Sequence, residues 1–172
     1  EKRHFVEGLA HRIVEQINGA TAANSTAVAA SVLLGNRETG MRHEVFLARM
    51  RDVLGVLRLQ DVRLTGALAT EEGDFGDSLS FLERSELIRL SVGRRDTVVY
   101  FEESSRQALD LYRNSIAHFL VTPSLLARRL QNSPVTREEL RDDLRFWQEL
   151  LYREYFMPRD VILASRFDGL VD

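Results

Sequence analysis

Apolar residues return at helical intervals along most of this chain. Phe5, Leu9, Ile13 and Ile17 fall every fourth residue with Val6 and Val14 beside them, which predicts an amphipathic helix closed by Gly19. Asn24, Ser25 and Thr26 supply an N-cap for a second helix over 27–36. Its small residues Ala27, Ala29, Ala30 and Ser31 predict close approach by a neighbouring helix. Gly40 marks a stop, and a third helix follows over 43–58 with Phe46, Met50, Val53, Leu54 and Leu57 on one face. Arg42, Glu44, Arg49, Arg51 and Asp52 form its solvated side.

Over 64–76 the pattern fades into a loop marked by Gly66, Gly73 and Gly76 with Glu71, Glu72 and Asp74. Asp77 is placed to cap a short helix containing Leu79, Leu82 and Leu87. The period then changes to two. Ile88 to Val92 alternates, 93–96 turns, and 97–101 is β-branched and aromatic, which predicts a β-hairpin lying on the helices.

The longest apolar-rich passage follows, LDLYRNSIAHFLVTPSLL over 109–126. Leu109, Tyr112, Ile116 and Phe119 share one face of a helix that begins near 102–106. Pro123 is expected to end that helix, with Thr122 and Pro123 opening another as N-cap and first position. Thr136 and Glu139 form a capping box, and Val135 and Leu140 are placed as a hydrophobic staple. The helix they start carries Leu140, Leu144, Trp147, Leu151 and Tyr155 on one face, with Trp147 read as core. Pro158 opens a last short helix with Val161, Ile162 and Leu163. No internal repeat or low-complexity segment interrupts this order.

Composition narrows the class without naming a function. A chain of 172 residues with 44% hydrophobic and 28% charged residues is ordinary for a globular protein with a real core. A net charge of -3 offers no global basic field to nucleic acid or anionic lipid. Lys2 is the sole lysine, an arginine bias read as genomic composition. With no cysteine there is no disulfide, thiolate metal site or cysteine nucleophile. No apolar run approaches the roughly 18 residues of a membrane span. The opening without methionine reads as part of a longer protein.

Candidate chemistry is mostly negative. The sequence holds no Gly-x-Ser-x-Gly elbow, phosphate-cradling glycine loop or dinucleotide fingerprint. No two histidines have the spacing of a helical metal site, and no cofactor is expected. What stands out is Arg113, Asn114 and His118, polar groups set into the apolar stripe of the 109–126 passage. The functional reading of the group has Arg113 as an anion contact beside His118. Enclosed polar groups normally find protein partners, so the three are read as a structural polar cluster. Arg94 and Arg95 at the hairpin tip are read as a solvated turn.

Two passages carry a family resemblance. The string YRNSIAHFLVTPSLLA, with its Tyr-x-Asn-x-x-x-His-Phe centre, resembles the C-terminal region of membrane-bound glycerol-3-phosphate acyltransferases. AHRIVEQINGATAANSTAVAASVLLGNRETGM over 10–41 resembles the helical segment that follows the catalytic domain in the same proteins. The family's catalytic histidine is followed five positions later by an aspartate, the pair that deprotonates the acceptor hydroxyl. Five positions past His4, His11, His43 and His118 stand Leu9, Gln16, Ala48 and Pro123, none of them acidic. The family's arginine-bearing glycerol-phosphate motif and its Glu-Gly-x-Arg-Ser motif are missing too.

The expectation is therefore a mainly α fold, a helical bundle with one small β-hairpin and sub-units over about 1–101 and 102–172. The resemblance implies a supporting C-terminal region, inactive by itself, whose catalytic domain lies upstream of residue 1 and is its partner. It implies that the whole enzyme moves an acyl group from coenzyme A or a carrier-protein thioester to glycerol 3-phosphate. That reaction opens phospholipid biosynthesis, on the cytoplasmic side of the cell membrane. The alternative is a nucleic-acid-binding or helical protein-interaction module, because a stretch over about 25–101 has the helix–helix–helix–hairpin order of a winged helix. Its candidate recognition helix over 77–87 carries Asp77, Glu83 and Glu86 against Arg84, a poor surface for phosphates, so no nucleic-acid partner is expected.

Overall fold

The computed structural model describes residues 2–69, 75–132 and 134–155. The chain runs α1 (Lys2–Ala20), α2 (Ser25–Gly35), β1 (Gly40–Arg42), α3 (His43–Leu59), α4 (Gly76–Arg84), β2 (Arg89–Val92), β3 (Thr97–Tyr100), α5 (Arg106–Asn132) and α6 (Arg137–Tyr155), with 3-10 turns at Gly66–Ala69 and Glu103–Ser105. It is mainly helical with a small antiparallel sheet. The short helix expected beyond Pro158 lies outside the described residues. Backbone packing divides the chain into Ala22–Ala117 and a second unit formed by Glu1–Thr21 with His118–Asp172.

Within Ala22–Ala117, α2 is the central element. Ala27, Val28, Ala29, Ala30, Val32 and Leu33 are all buried, so it is apolar all round, as an enclosed helix must be. The predicted cap is present: Asn24 Oδ1 accepts from the Ala27 N–H at 2.9 Å. Small side chains let α3, α4 and the Gly66–Ala69 turn pack on α2. Phe46, Met50, Leu54 and Leu57 of α3 are buried at steps of four, four and three, matching the predicted stripe. Ahead of α2, Ala23 bridges to the segment after α3, donating to the Arg63 carbonyl at 2.8 Å and accepting from Thr65 at 3.0 Å.

The predicted hairpin is formed by β2 and β3, with Arg89 opposite Tyr100 and Val92 opposite Thr97. A third strand was not legible in the sequence. β1 pairs on the other side of β3, with Gly40 opposite Tyr100, giving the order β1-β3-β2. At three residues β1 is too short for a period of two to show. It makes the unit helix–strand–helix–helix–hairpin, the connectivity of a winged helix-turn-helix.

Three boundaries differ from expectation, one being the end of α4, which stops at Arg84 and leaves Leu87 outside the helix. Asp77 is not the cap of α4; it sits in the first turn, and Phe75 precedes the helix without a side-chain cap. Burial of Phe75 and the Ser78 hydroxyl, which donates to the Phe75 carbonyl at 2.8 Å, fix that start instead. Pro123 does not end a helix either: α5 runs through it without a break. Proline brings no N–H and costs about 3 kcal/mol inside a helix. The turn beyond it is held by tertiary packing, since Leu126 is buried in one cluster with Leu140 and Leu144 of α6.

That cluster is the described core of the second unit, and Val135 packs against it as the predicted staple. Arg129 Nε reaches Asp143 Oδ2 at 2.7 Å beside it. The capping box is formed: the Thr136 N–H donates to Glu139 Oε2 at 2.8 Å, and the Glu139 N–H donates to Thr136 Oγ1 at 3.2 Å. The Thr136 backbone N–H, then its hydroxyl, hold the Glu139 carboxyl below the usual carboxylate range. Trp147, expected in the core, is half-buried and meets Phe146 edge-on at 5.6 Å.

Candidate functional site

The polar residues singled out in the sequence all lie on α5. The apolar stripe that carries them is formed as predicted, with Leu109 and Ile116 fully buried and Tyr112 and Phe119 half-buried. At the start of the helix the Arg106 guanidinium sits 5.2 Å over the Phe101 ring and pairs with Glu103. The hydrogen bond from Arg106 holds the Glu103 carboxyl below its ordinary range.

Arg113 Nη2 lies 2.9 Å from Asp110 Oδ1 and donates to Asn114 Oδ1 at 3.2 Å. Its charge is engaged by neighbours on the same helix, a geometry that braces α5. Asn114, read with the other two as part of a structural cluster, has an exposed side chain. His118 is half-buried, its ring centroid 3.9 Å from that of Phe119, and its Nε2 is shielded from solvent. Periodicity placed these residues within a turn of a buried stripe; it could not tell which of them faces inward.

This difference gives a direct test. Asn114→Ala is expected to change stability by no more than about 0.5 kcal/mol, the range of surface substitutions. His118→Ala removes a half-buried ring that lies against Phe119, and is expected to cost more, about 0.5–3 kcal/mol, the range of substitutions that lose packing. Urea unfolding of both single mutants and the double mutant reads the two values. Equal losses with strong coupling between the positions would mean that Asn114 and His118 form one enclosed cluster after all.

The remaining chemistry is sparse. Among the described residues no group of three histidines, aspartates or glutamates could hold a metal ion. The helix that a winged helix would place in a DNA groove is α4. Its exposed positions include Asp77, Ser80, Glu83 and Arg84, and Arg84 Nε donates to the Ser80 carbonyl at 3.2 Å. Phe81 on the same helix meets Tyr112 of α5 edge-on at 6.3 Å. An acidic face with an aromatic contact to α5 is poorly suited to a phosphate backbone.

No helix among the described residues is long and apolar enough to cross a membrane. A shallow groove runs along α1, lined by Arg12, Ile13, Gln16, Ile17 and Ala20.

Comparison with known proteins gives one consistent answer. Residues 1–172 match the family described as the glycerol-3-phosphate acyltransferase C-terminal region. The chain is 33% identical over 171 residues to a protein of Shewanella amazonensis named glycerol-3-phosphate acyltransferase, covering 97% of this chain and 20% of that protein. A protein of the same name from Shewanella loihica is 28% identical over 156 residues, covering 90% and 19%. One from Shewanella baltica is 30% identical over 155 residues, covering 88% and 19%. The chain thus spans about a fifth of the length of the curated relatives it matches.

Proposed function

Because the chain belongs to the glycerol-3-phosphate acyltransferase C-terminal region family, we propose that it is the supporting, non-catalytic part of such an enzyme. The observation that carries this reading is the pairing of a full-length family match with a span of about a fifth of the relatives. The whole enzyme would transfer an acyl group from a coenzyme A or carrier-protein thioester to the sn-1 hydroxyl of glycerol 3-phosphate. The hydroxyl must lose its proton as it attacks the thioester carbonyl, which calls for a positioned base. In this chain none of the histidines is followed five residues later by a carboxylate, and Arg113 is engaged by Asp110 and Asn114. The base and the phosphate contacts are therefore assigned to the remainder of the protein, and this region to packing against it. The site of action is the cytoplasmic side of the cell membrane, reached peripherally as far as this region is concerned.

The test is a pair of assays. The purified 172-residue chain, given glycerol 3-phosphate and palmitoyl-CoA, is expected to form no lysophosphatidate above background, while the full-length protein forms it readily. Turnover by the chain alone, abolished by His118→Ala, would overturn the division of labour. The winged-helix connectivity favours a second reading, DNA binding, against which the α4 surface argues. Retention of duplex DNA at physiological salt would favour it.

A further inference from the structure

The two units treat their apolar residues differently. In Ala22–Ala117 the apolar residues of α2 and the stripe of α3 are buried. α1 has an equally regular stripe, yet Phe5, Val6, Leu9, Ile13 and Ile17 are between 48% and 71% exposed. The helix has 19 residues and so is about 28 Å long, with these side chains on one continuous face. On α6 in the same unit, Phe146 and Leu150 are one turn apart and also exposed. Soluble proteins rarely leave contiguous apolar patches of this extent in water. A surface of this kind is built to be covered.

Charge argues against a bilayer as the cover. Interfacial helices that bind anionic lipid have polar faces rich in lysine and arginine. Over Lys2–Ala20 there are three such residues (Lys2, Arg3, Arg12) against two acids (Glu7, Glu15), and Arg3 is already paired with Glu7 at 3.0 Å. Over Arg137–Tyr155 four arginines face six acids. Both helices are close to neutral or acidic, with an apolar stripe suited to another protein surface. The relatives leave room for such a surface, since the match spans about a fifth of their length and is described as their C-terminal region. α1 opens that region, so the preceding polypeptide reaches it first, at the high effective concentration that covalent linkage gives.

We propose that the Phe5–Leu9–Ile13–Ile17 face of α1 is the docking surface for the part of the same polypeptide that precedes it, closing an intramolecular interface. This rests on the reading of the chain as the C-terminal region of a longer transferase, and it names the face by which that region is held. Among the described residues the stripe is left open, and the preceding polypeptide is what closes it. α1 then belongs functionally to the junction between this region and the part that performs the chemistry.

The experiment uses the full-length protein in a cysteine-free background, to which this region contributes no cysteine of its own. Leu9→Cys and Ile13→Cys are introduced singly and reacted with a water-soluble maleimide without lipid. Each rate is compared with that of the same variant unfolded in urea. Burial of the face predicts labelling at least about tenfold slower in the folded protein. It also predicts that a bifunctional linker from either position captures peptides of the preceding polypeptide within one molecule. Labelling as fast as in urea would overturn the proposal, and so would links that run from either position to residues 22–172 with none to the preceding polypeptide. Protection that arises only with phosphatidylglycerol vesicles would assign the face to a membrane and overturn it too. Protection that grows with protein concentration, with links between copies, would assign it to a second copy with the same result. An acylation assay on the unlabelled variants separates the two readings. Acylation with an unprotected face removes the docking proposal alone, whereas protection without acylation keeps the docking and removes the enzyme assignment.

Discussion

Phe46→Ala is expected to cost about 3–5 kcal/mol, the range for truncating a buried aromatic ring. Phe46 has no exposed surface and lies on the face of α3, a helix that packs on α2, β1 and β3 at once. Its loss leaves a void in the core of that unit, where the small residues of α2 leave little room for collapse. For a unit of this size, about 4–8 °C of melting temperature is lost per kcal/mol, so thermal unfolding should fall by more than about 12 °C. Hydrogen exchange read by peptide should place the loss in α2, α3 and the sheet. Arg51→Ala, on the exposed side of the same helix, should stay within about 0.5 kcal/mol. A Phe46→Ala protein as stable as the parent would mean that α3 does not pack as described.

The same substitution at two glycines is expected to act with opposite sign. A Cβ at Gly40 would lie 2.8 Å from the Cβ of Tyr100 and 3.2 Å from the Val99 carbonyl oxygen. Neither atom is the end of a flexible side chain, so β1 must draw away from β3. That movement strains the bond from the Phe101 N–H to the Thr39 carbonyl and the one from Asn36 Nδ2 to the Gly40 carbonyl. Gly40→Ala should therefore cost about 1–3 kcal/mol, as overpacking does. At Gly55, inside α3, a Cβ meets nothing within 4 Å. There alanine removes unfolded-state freedom without a clash and should stabilise by about 0.5–1 kcal/mol. Paired urea titrations decide it, and a stabilising Gly40→Ala would show that β1 is not held against β3.

Local physics made much of the fold legible in advance. The Phe46–Met50–Leu54–Leu57 stripe, the Asn24 cap and the Thr136–Glu139 box all involve residues three or four apart. Such residues are neighbours on any helix, whatever surrounds it. The hairpin was readable for a similar reason, since its strands are joined by a turn of a few residues. The candidate site was only half legible. The stripe on α5 told that Arg113, Asn114 and His118 lie close to an apolar face, but an angular uncertainty of one position separates an exposed Asn114 from a half-buried His118.

The sequence by itself determined most of the helices, the Asn24 and Thr136 caps, the hairpin, and the lack of a histidine–carboxylate pair five residues apart. Those properties depend on near neighbours in the chain. Only the tertiary structure decided the rest. β1 exists because Tyr100 lies opposite Gly40, a partner far away in sequence. α5 passes through Pro123 because packing of Leu126 with Leu140 and Leu144 outweighs the missing N–H. The stripes of α1 and α3 have nearly the same period, yet one is open and the other closed. Periodicity fixes which side of a helix is apolar, but burial is a property of two surfaces, and the second surface is not written in the first.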